Sequence, residues 1–309
     1  MKSYKRFWSE QLGRGIVTAC GIAVILLTLS IGAFLIYKGS GTFTTYGHSI
    51  GEFFFSSQWS PADTSAGGGK VGAAIYIFGS ISTCALALLI AAPLSLATAI
   101  FLSEIAPKWG ERLFRPAVEL FVGIPSIIYG WMGLTILVPA IKKLFGLSHG
   151  YSVLAAGIVL AVMIFPTITS VATDALSSVP RDYRKAAFGL GATRWQVIRQ
   201  VVLPAAKPGV LTGIVLGLAR AFGEALAVAM VIGKTRAYPK SLLSPTNNLT
   251  AAIASDMGGA MEGGEYNTAL WTMALLLFLI SLLFIFIIHL IARKGGAPKD
   301  EHVRTRKAG

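Results

Sequence analysis

The chain has 309 residues, of which 54% are apolar and only 13% charged, with a net charge of +13. So little polar surface cannot cover the core of a soluble domain of this length, which excludes an ordinary water-soluble enzyme or binding module. The two cysteines, Cys20 and Cys84, both fall inside apolar segments and supply neither a disulfide framework nor a metal site.

Hydropathy marks six segments near or above the ~20 residues that a bilayer requires. They lie at 16–37, 73–101, 117–138, 151–170, 209–233 and 268–292. Unpaired backbone is not tolerated in lipid, so the predicted class is an all-α integral membrane protein, one six-span domain over 1–309. With the N-terminus inside, Lys and Arg number 19 in cytoplasmic segments and 7 in external loops, with Arg220 left inside a span. This bias puts both termini in the cytoplasm and accounts for the basic charge without nucleic acid.

The first span follows a basic lead of Lys2, Lys5, Arg6 and Arg14. Its apolar run is too long for the core of a cleaved signal peptide, and no A-x-A site follows it, so an uncleaved anchor is expected. In the external loop 38–72, Phe53, Phe54, Phe55 and Trp59 are expected to lie along the membrane surface. Gly67-Gly68-Gly69-Lys70 looks like part of a phosphate loop but lacks the following Ser or Thr and the flanking strand and helix. Gly233-Lys234-Thr235 has Val228 where the first glycine of such a loop belongs. The chain therefore carries no nucleotide site and is not itself an enzyme. Its energy must come from another polypeptide or an ion gradient.

Pro93, Pro125 and Pro166 interrupt the second, third and fourth spans. Each frees a carbonyl and bends its helix; such breaks border the path in transporters, though a packing kink is the simpler reading of any one of them. His48, His149, His289 and His302 lie at span ends and in loops and read as solvated. Asn248-Leu249-Thr250 is a formal glycosylation sequon of little weight, and the tail 293–309 is basic and polar.

Between the fourth and fifth spans, within a cytoplasmic loop at 175–207, residues 185–204 read KAAFGLGATRWQVIRQVVLP. Small residues open the segment, Gly191 can turn the chain between two short helices, and Leu203-Pro204 is expected to stop it. Arg181, Arg184, Lys185, Arg194 and Arg199 alternate with apolar residues, giving one basic and one apolar face. A basic helix lying on anionic lipid explains the charge but not the fixed glycine and Leu-Pro spacing. That spacing resembles the coupling loop of ABC importer permeases, with Ala186, Ala187, Gly191, Leu203 and Pro204 in register and Lys185 in place of the usual Glu. The resemblance implies a permease subunit docked on a separate ATPase.

The fifth span places Arg220 at its middle and Glu224 one helical turn later, on the same face. A charge at bilayer depth costs at least ~2.5–3.5 kcal/mol, so the two need a protein interior or a water-filled path. Gly209, Gly213 and Gly217 form a ridge that lets a neighbouring helix approach. The guanidinium fork suits an oxyanion. Glu224 would repel an anion without a proton but could accept a hydrogen bond from hydrogen phosphate, which distinguishes phosphate from sulfate. A purely structural Arg–Glu pair is the alternative.

Arg220-Ala221-Phe222-Gly223-Glu224-Ala225-Leu226-Ala227-Val228 resembles the fifth-span signature of phosphate importer permeases. So do Glu119-Leu120-Phe121-Val122-Gly123-Ile124-Pro125-Ser126 with Tyr129-Gly130, and Leu243-Ser244-Pro245 with Leu249-Thr250-Ala251-Ala252-Ile253-Ala254. The last run and the Ala-Val after Leu226 are more similar to the PstC type of subunit than to its sister PstA. The resemblance implies a PstC-like subunit of an ABC importer in a bacterial cytoplasmic membrane, moving phosphate inward by alternating access. It implies a PstA-like permease partner, a PstB-like ATPase dimer that uses the ATP, an external PstS-like phosphate-binding protein, and no cofactor on this chain. Arg220 and Glu224 would then line the substrate path. An ABC permease for sulfate or molybdate, and an ion-coupled secondary transporter, remain the other readings.

Overall fold

The computed structural model describes residues 2–106, 112 and 115–294. Among them, six helices are long and apolar enough to cross a membrane: Gln11–Thr44, Ala74–Ile105, Ser126–Leu144, Val153–Ser177, Arg194–Gly223 and Glu265–Ile291. The helices are α1 (Lys2–Thr44), α2 (Ile50–Phe55), α3 (Ala74–Ile100), α4 (Arg115–Gly123), α5 (Ser126–Met132), α6 (Val138–Leu144), α7 (Val153–Ser177), α8 (Arg181–Gly189), α9 (Arg194–Val197), α10 (Leu203–Gly223), α11 (Leu226–Val231), α12 (Leu249–Asp256) and α13 (Glu265–Lys294). The described residues form two compact units, one of residues up to 74 with 256–278, the other of residues 75–255 with those from 279 on.

Three expectations change at the ends of spans. The third span is not continuous from 117, because Pro125 stands between α4 and α5 with extended backbone. Proline has no N–H for the helix and disfavours helical backbone in the residue before it. Leu203-Pro204 does not stop the coupling segment. A wide helical turn at Ile198–Val202 joins α9 to α10, and Pro204 sits in the first turn of α10, where its missing N–H costs little. The long helix that carries the fifth apolar segment thus runs from Arg194 to Gly223 rather than over 209–233.

In the larger unit α7 is central, burying Ala155, Leu160, Met163, Ile164 and Ile168 among neighbouring helices. The glycine ridge of α10 lies against it as expected: a Cβ on Gly209 would stand 2.5 Å from Cβ of Ala175, and one on Gly217 2.5 Å from Cγ1 of Ile168. Any side chain there would push the two helices apart. Pro93 and Pro166 lie inside α3 and α7, which are joined where Ser95 Oγ donates to the Phe165 carbonyl at 3.0 Å. A second apolar cluster of Ala99, Ala172, Leu176, Val179, Val197, Val202 and Ala206 fixes α9 and the wide turn after it against α3 and α7.

In the smaller unit α1 meets the first part of α13 through small residues; Thr42 and Thr272 share a 2.6 Å hydrogen bond, and Thr272 Oγ1 donates to the Gly39 carbonyl. Trp59–Ser60 and Lys70–Val71 pair as a two-residue antiparallel ladder inside the otherwise helical fold. Phe53 and Trp59 are buried, so only Phe54 and Phe55 remain available to the membrane surface. Asn248 is buried as well, accepting from the Ala251 N–H at the start of α12, which removes it as a glycosylation acceptor.

The Gly67–Lys70 segment holds an anion, but the anion is the protein's own. Glu265 is 1% exposed and accepts from the amides of Ala62 (2.6 Å), Gly68 (3.1 Å) and Gly69 (2.9 Å). His48 is not solvated: Nε2 lies 2.8 Å from Glu265 and Nδ1 3.0 Å from Glu52. Burial opposes charge on His48, but hydrogen bonds and charge attraction from Glu265 and Glu52 outweigh it and raise the imidazole above its ordinary value. A group raised on folding stabilises fully below its unfolded value, and the gain disappears as pH rises through the folded value. The melting-temperature gap between wild type and His48→Gln is therefore expected to be wide at pH 5.5 and to shrink by pH 8.5. A gap that is constant or grows with pH would contradict the clasp.

Candidate functional site

Arg220 stands three residues before α10 ends, and its Nη1 donates to Thr167 Oγ1 on α7 at 2.9 Å. The helix then breaks. Glu224 has extended backbone and no longer continues the face that carries Arg220. No ion pair joins Arg220 to Glu224 among the described residues; the expected same-face pair is replaced by two separately engaged side chains. Glu224 Oε1 accepts from the Ala227 N–H at 3.1 Å, capping the start of α11, while its carbonyl accepts from Thr250 Oγ1 at 2.7 Å. Gly223 makes the break inexpensive, since its backbone is unhindered and nothing lies within 4 Å of where its Cβ would be.

The break has a floor and a wall. Leu249, Thr250 and Ala251 of the 249–254 run are buried, and the Leu249 N–H is held by Ser80 Oγ on α3 at 3.1 Å. Gly130 of α5 lies so close to α11 that a Cβ there would come within 2.7 Å of Ala227 Cα. Pro125 breaks the chain nearby in sequence, and Tyr129 OH donates back to the Phe121 carbonyl at 2.8 Å. The segments singled out by their residues thus converge around one interrupted helix. Interrupted helices with a charged side chain at the break are where membrane transporters hold ions. The arrangement leaves the Arg220 fork bonded to a neutral hydroxyl, with donors to spare for an oxyanion. Thr167 was not evident from the sequence, because a single hydroxyl in an apolar span carries no pattern, whereas Thr250 lies in the 249–254 run that the sequence singled out. Among the described residues, no group of three His, Cys, Asp or Glu side chains is placed to hold a metal.

The other functional element is the segment between α7 and α10. α8 ends where Gly191 takes φ +81°, its N–H bonding the Phe188 carbonyl and that of Ala192 the Ala187 carbonyl. Thr193 then starts α9 through reciprocal bonds with Gln196, 2.8 Å from the Thr193 N–H to Gln196 Oε1. Val197, Ile198 and Val202 point inward; Leu190 is 91% exposed, and Tyr183, Phe188 and Trp195 are largely exposed beside it. Lys185 and Ala186 are exposed, Ala187 and Leu203 pack partly on the inner cluster, and Pro204 is exposed. Large apolar side chains are thus left bare on a polar segment. One residue that the sequence did not single out anchors this element: Glu104, in the wide helical turn Phe101–Ile105 that follows α3, accepts from Arg184 Nη2 at 2.6 Å and Nε at 3.3 Å, while Arg194 reaches the Glu104 and Ile105 carbonyls. The lysine in place of the usual Glu pairs locally with Asp182 at 3.1 Å.

Comparison with known proteins agrees with this geometry. Residues 91–295 match the family described as binding-protein-dependent transport system inner membrane component. A probable ABC transporter permease protein, YqgH of Bacillus subtilis, is 48% identical over 92% of this chain and 91% of its own. The phosphate transport system permease protein PstC of Haemophilus influenzae is 35% identical over 97% of this chain and 98% of its own. Among solved structures, a chain of a bacterial alginate ABC transporter, in complex with alginate pentasaccharide-bound periplasmic protein, superposes with a TM-score of 0.62 at 16% identity, covering 94% of this chain and 98% of that one. A chain of the inward-facing MetNI methionine ABC transporter gives 0.54 at 24% identity, covering 72% and 96%.

Proposed function

The chain belongs to the family of binding-protein-dependent transport system inner membrane components, and from that premise we propose that it is the PstC-like subunit of an importer for inorganic phosphate. Permeases of this family hydrolyse no ATP themselves, and the family sets aside the ion-coupled secondary transporter. The observation that supports an oxyanion is Arg220: a guanidinium at an interrupted helix, bonded to Thr167 and not neutralised by Glu224. The relatives named for phosphate transport support phosphate over sulfate or molybdate.

On this reading phosphate arrives from an external PstS-like binding protein and passes Arg220 between this chain and a PstA-like subunit. A PstB-like ATPase dimer grips the knuckle at 181–204 and tilts α10, which is continuous with the knuckle's second helix from Arg194 on. That continuity gives a direct mechanical link, because a push at Arg194 moves the helix that carries Arg220. The test is ATPase activity of the reconstituted four-component complex. Phosphate-loaded binding protein is expected to stimulate it, and sulfate is not. Equal stimulation by sulfate would reassign the solute.

The reading also fixes orientation: the knuckle and both termini face the cytoplasm. A reporter fused after Ala308 is expected to be cytoplasmic and one inserted near Ser65 external. The reverse pattern would place the docking knuckle on the side without ATP.

A further inference from the structure

A threonine inside a helical segment ordinarily turns its hydroxyl onto its own backbone, where the carbonyl one turn back lies within reach. In the larger unit Thr83, Thr98, Thr135, Thr173 and Thr212 all do so, at 2.7, 2.8, 2.8, 2.7 and 2.9 Å. Thr167 does not. Among the described residues, the one hydrogen bond of its hydroxyl crosses to α10, where Oγ1 accepts from Arg220 Nη1 at 2.9 Å. The stretch of α7 that carries it is held from another side. Ser95 on α3, itself 0% exposed, donates Oγ to the Phe165 carbonyl at 3.0 Å, and Pro166 is buried between Phe165 and Thr167. The acceptor offered to Arg220 thus stands on a packed and hydrogen-bonded stretch of helix, not on a loop.

The bond spends one hydrogen of Nη1 and leaves the edge formed by Nε and Nη2 whole. That edge carries two parallel N–H donors, the pattern that takes an oxyanion bidentately. The acceptor is also neutral, so it holds the guanidinium without cancelling its charge. We propose that Thr167 is a positioning residue for the transported oxyanion: it pins one arm of Arg220 and so presents the Nε–Nη2 edge, with its charge intact, to the solute. An unpinned arginine samples many rotamers, and each arriving ion would have to order it. The proposal rests on the reading that Arg220 meets the solute, and it adds what fixes Arg220 in place. A plain structural tie between α7 and α10 is the rival role, and the two part on charge. A carboxylate at position 167 would tie Arg220 more tightly than a hydroxyl does, yet it would neutralise the fork and repel an anion.

The test is radiolabelled phosphate uptake by the reconstituted four-component complex, with KM and kcat determined separately at matched permease content. Thr167→Ser keeps the hydroxyl and is expected to stay within about twofold of wild type. Thr167→Val keeps the shape and loses the acceptor, and is expected to raise KM about tenfold with little change in kcat. Thr167→Asp is expected to transport less than Thr167→Val, although its hold on Arg220 is the stronger. Adding Thr167→Val to Arg220→Gln should cost nothing further, because glutamine does not reach position 167. A wild-type KM for Thr167→Val beside a crippled Arg220→Gln overturns the proposal and leaves the reading of Arg220 standing. A double variant that is worse than Arg220→Gln alone overturns it too, as does Thr167→Asp transporting as well as Thr167→Val or better, which assigns the hydroxyl to the structural tie. Should Thr167→Asp fail to assemble, the KM of Thr167→Val and the double variant decide. Wild-type uptake by Arg220→Gln overturns both the proposal and the reading beneath it.

Discussion

Arg220→Gln is expected to reduce phosphate uptake on the order of a hundredfold, about 2.7 kcal/mol, while the complex still assembles. Glutamine is too short to reach Thr167, 2.9 Å from Nη1 in the wild type, but the contact between α10 and α7 rests on the glycine ridge and survives. What goes is the charge and the second arm of the fork, which an amide cannot supply. Because Glu224 is engaged by the Ala227 N–H and not by Arg220, removing the guanidinium does not orphan a paired carboxylate. Protein level should therefore stay near wild type. Glu224→Gln asks a different question. The amide still offers an oxygen to the Ala227 N–H, so the helix break is kept, and only the charge is lost. If the carboxylate selects for an oxyanion that carries a proton, uptake falls and the rejection of sulfate weakens. Radiolabelled phosphate and sulfate uptake in vesicles with matched permease content measures both. Wild-type uptake by a well-assembled Arg220→Gln variant refutes the role assigned to it.

The long apolar spans were legible because length and composition alone decide them. The second, fourth and sixth apolar segments fall within long helices of the structure, and the glycine ridge of period four lies in contact with α7. The fifth span was misread at both ends for one reason: hydropathy cannot see hydrogen bonding. Nothing apolar changes at Gly223-Glu224, yet the helix stops there, because a carboxylate that caps α11 competes with helix continuation. Conversely Pro204 looked like a stop and is a first-turn residue, because the preceding wide turn absorbs its missing N–H. His48 looked solvated because its partner Glu265 is 217 residues away. Glu104 escaped notice in the same way, being 80 residues from Arg184. The knuckle was legible because small residues, a glycine turn and a helix start are local devices.

Gly191→Arg is expected to leave the chain folded in the membrane but to lower uptake at least about tenfold and to lose the co-purifying ATPase, at a folding cost of about 1–2 kcal/mol. The cost comes from φ +81°, a left-handed conformation that a side chain disfavours. It is confined to the turn, because nothing of the chain lies within 4 Å of the added Cβ. The side chain must then project outward, from the surface where Leu190, Phe188 and Trp195 are bare. A partner seated on those residues would meet it, while an empty or lipid-facing surface would not. Gly191→Asn separates strain from collision, since asparagine takes the left-handed conformation more readily than other side chains and projects less far. It should keep most uptake and the ATPase. If both variants fail equally, the turn conformation alone is at fault and the collision is irrelevant. If Gly191→Arg co-purifies the ATPase normally and transports at the wild-type rate, the knuckle is not the docking surface. In that case the continuous helix from Arg194 to Gly223 loses its assigned part in carrying the stroke to Arg220.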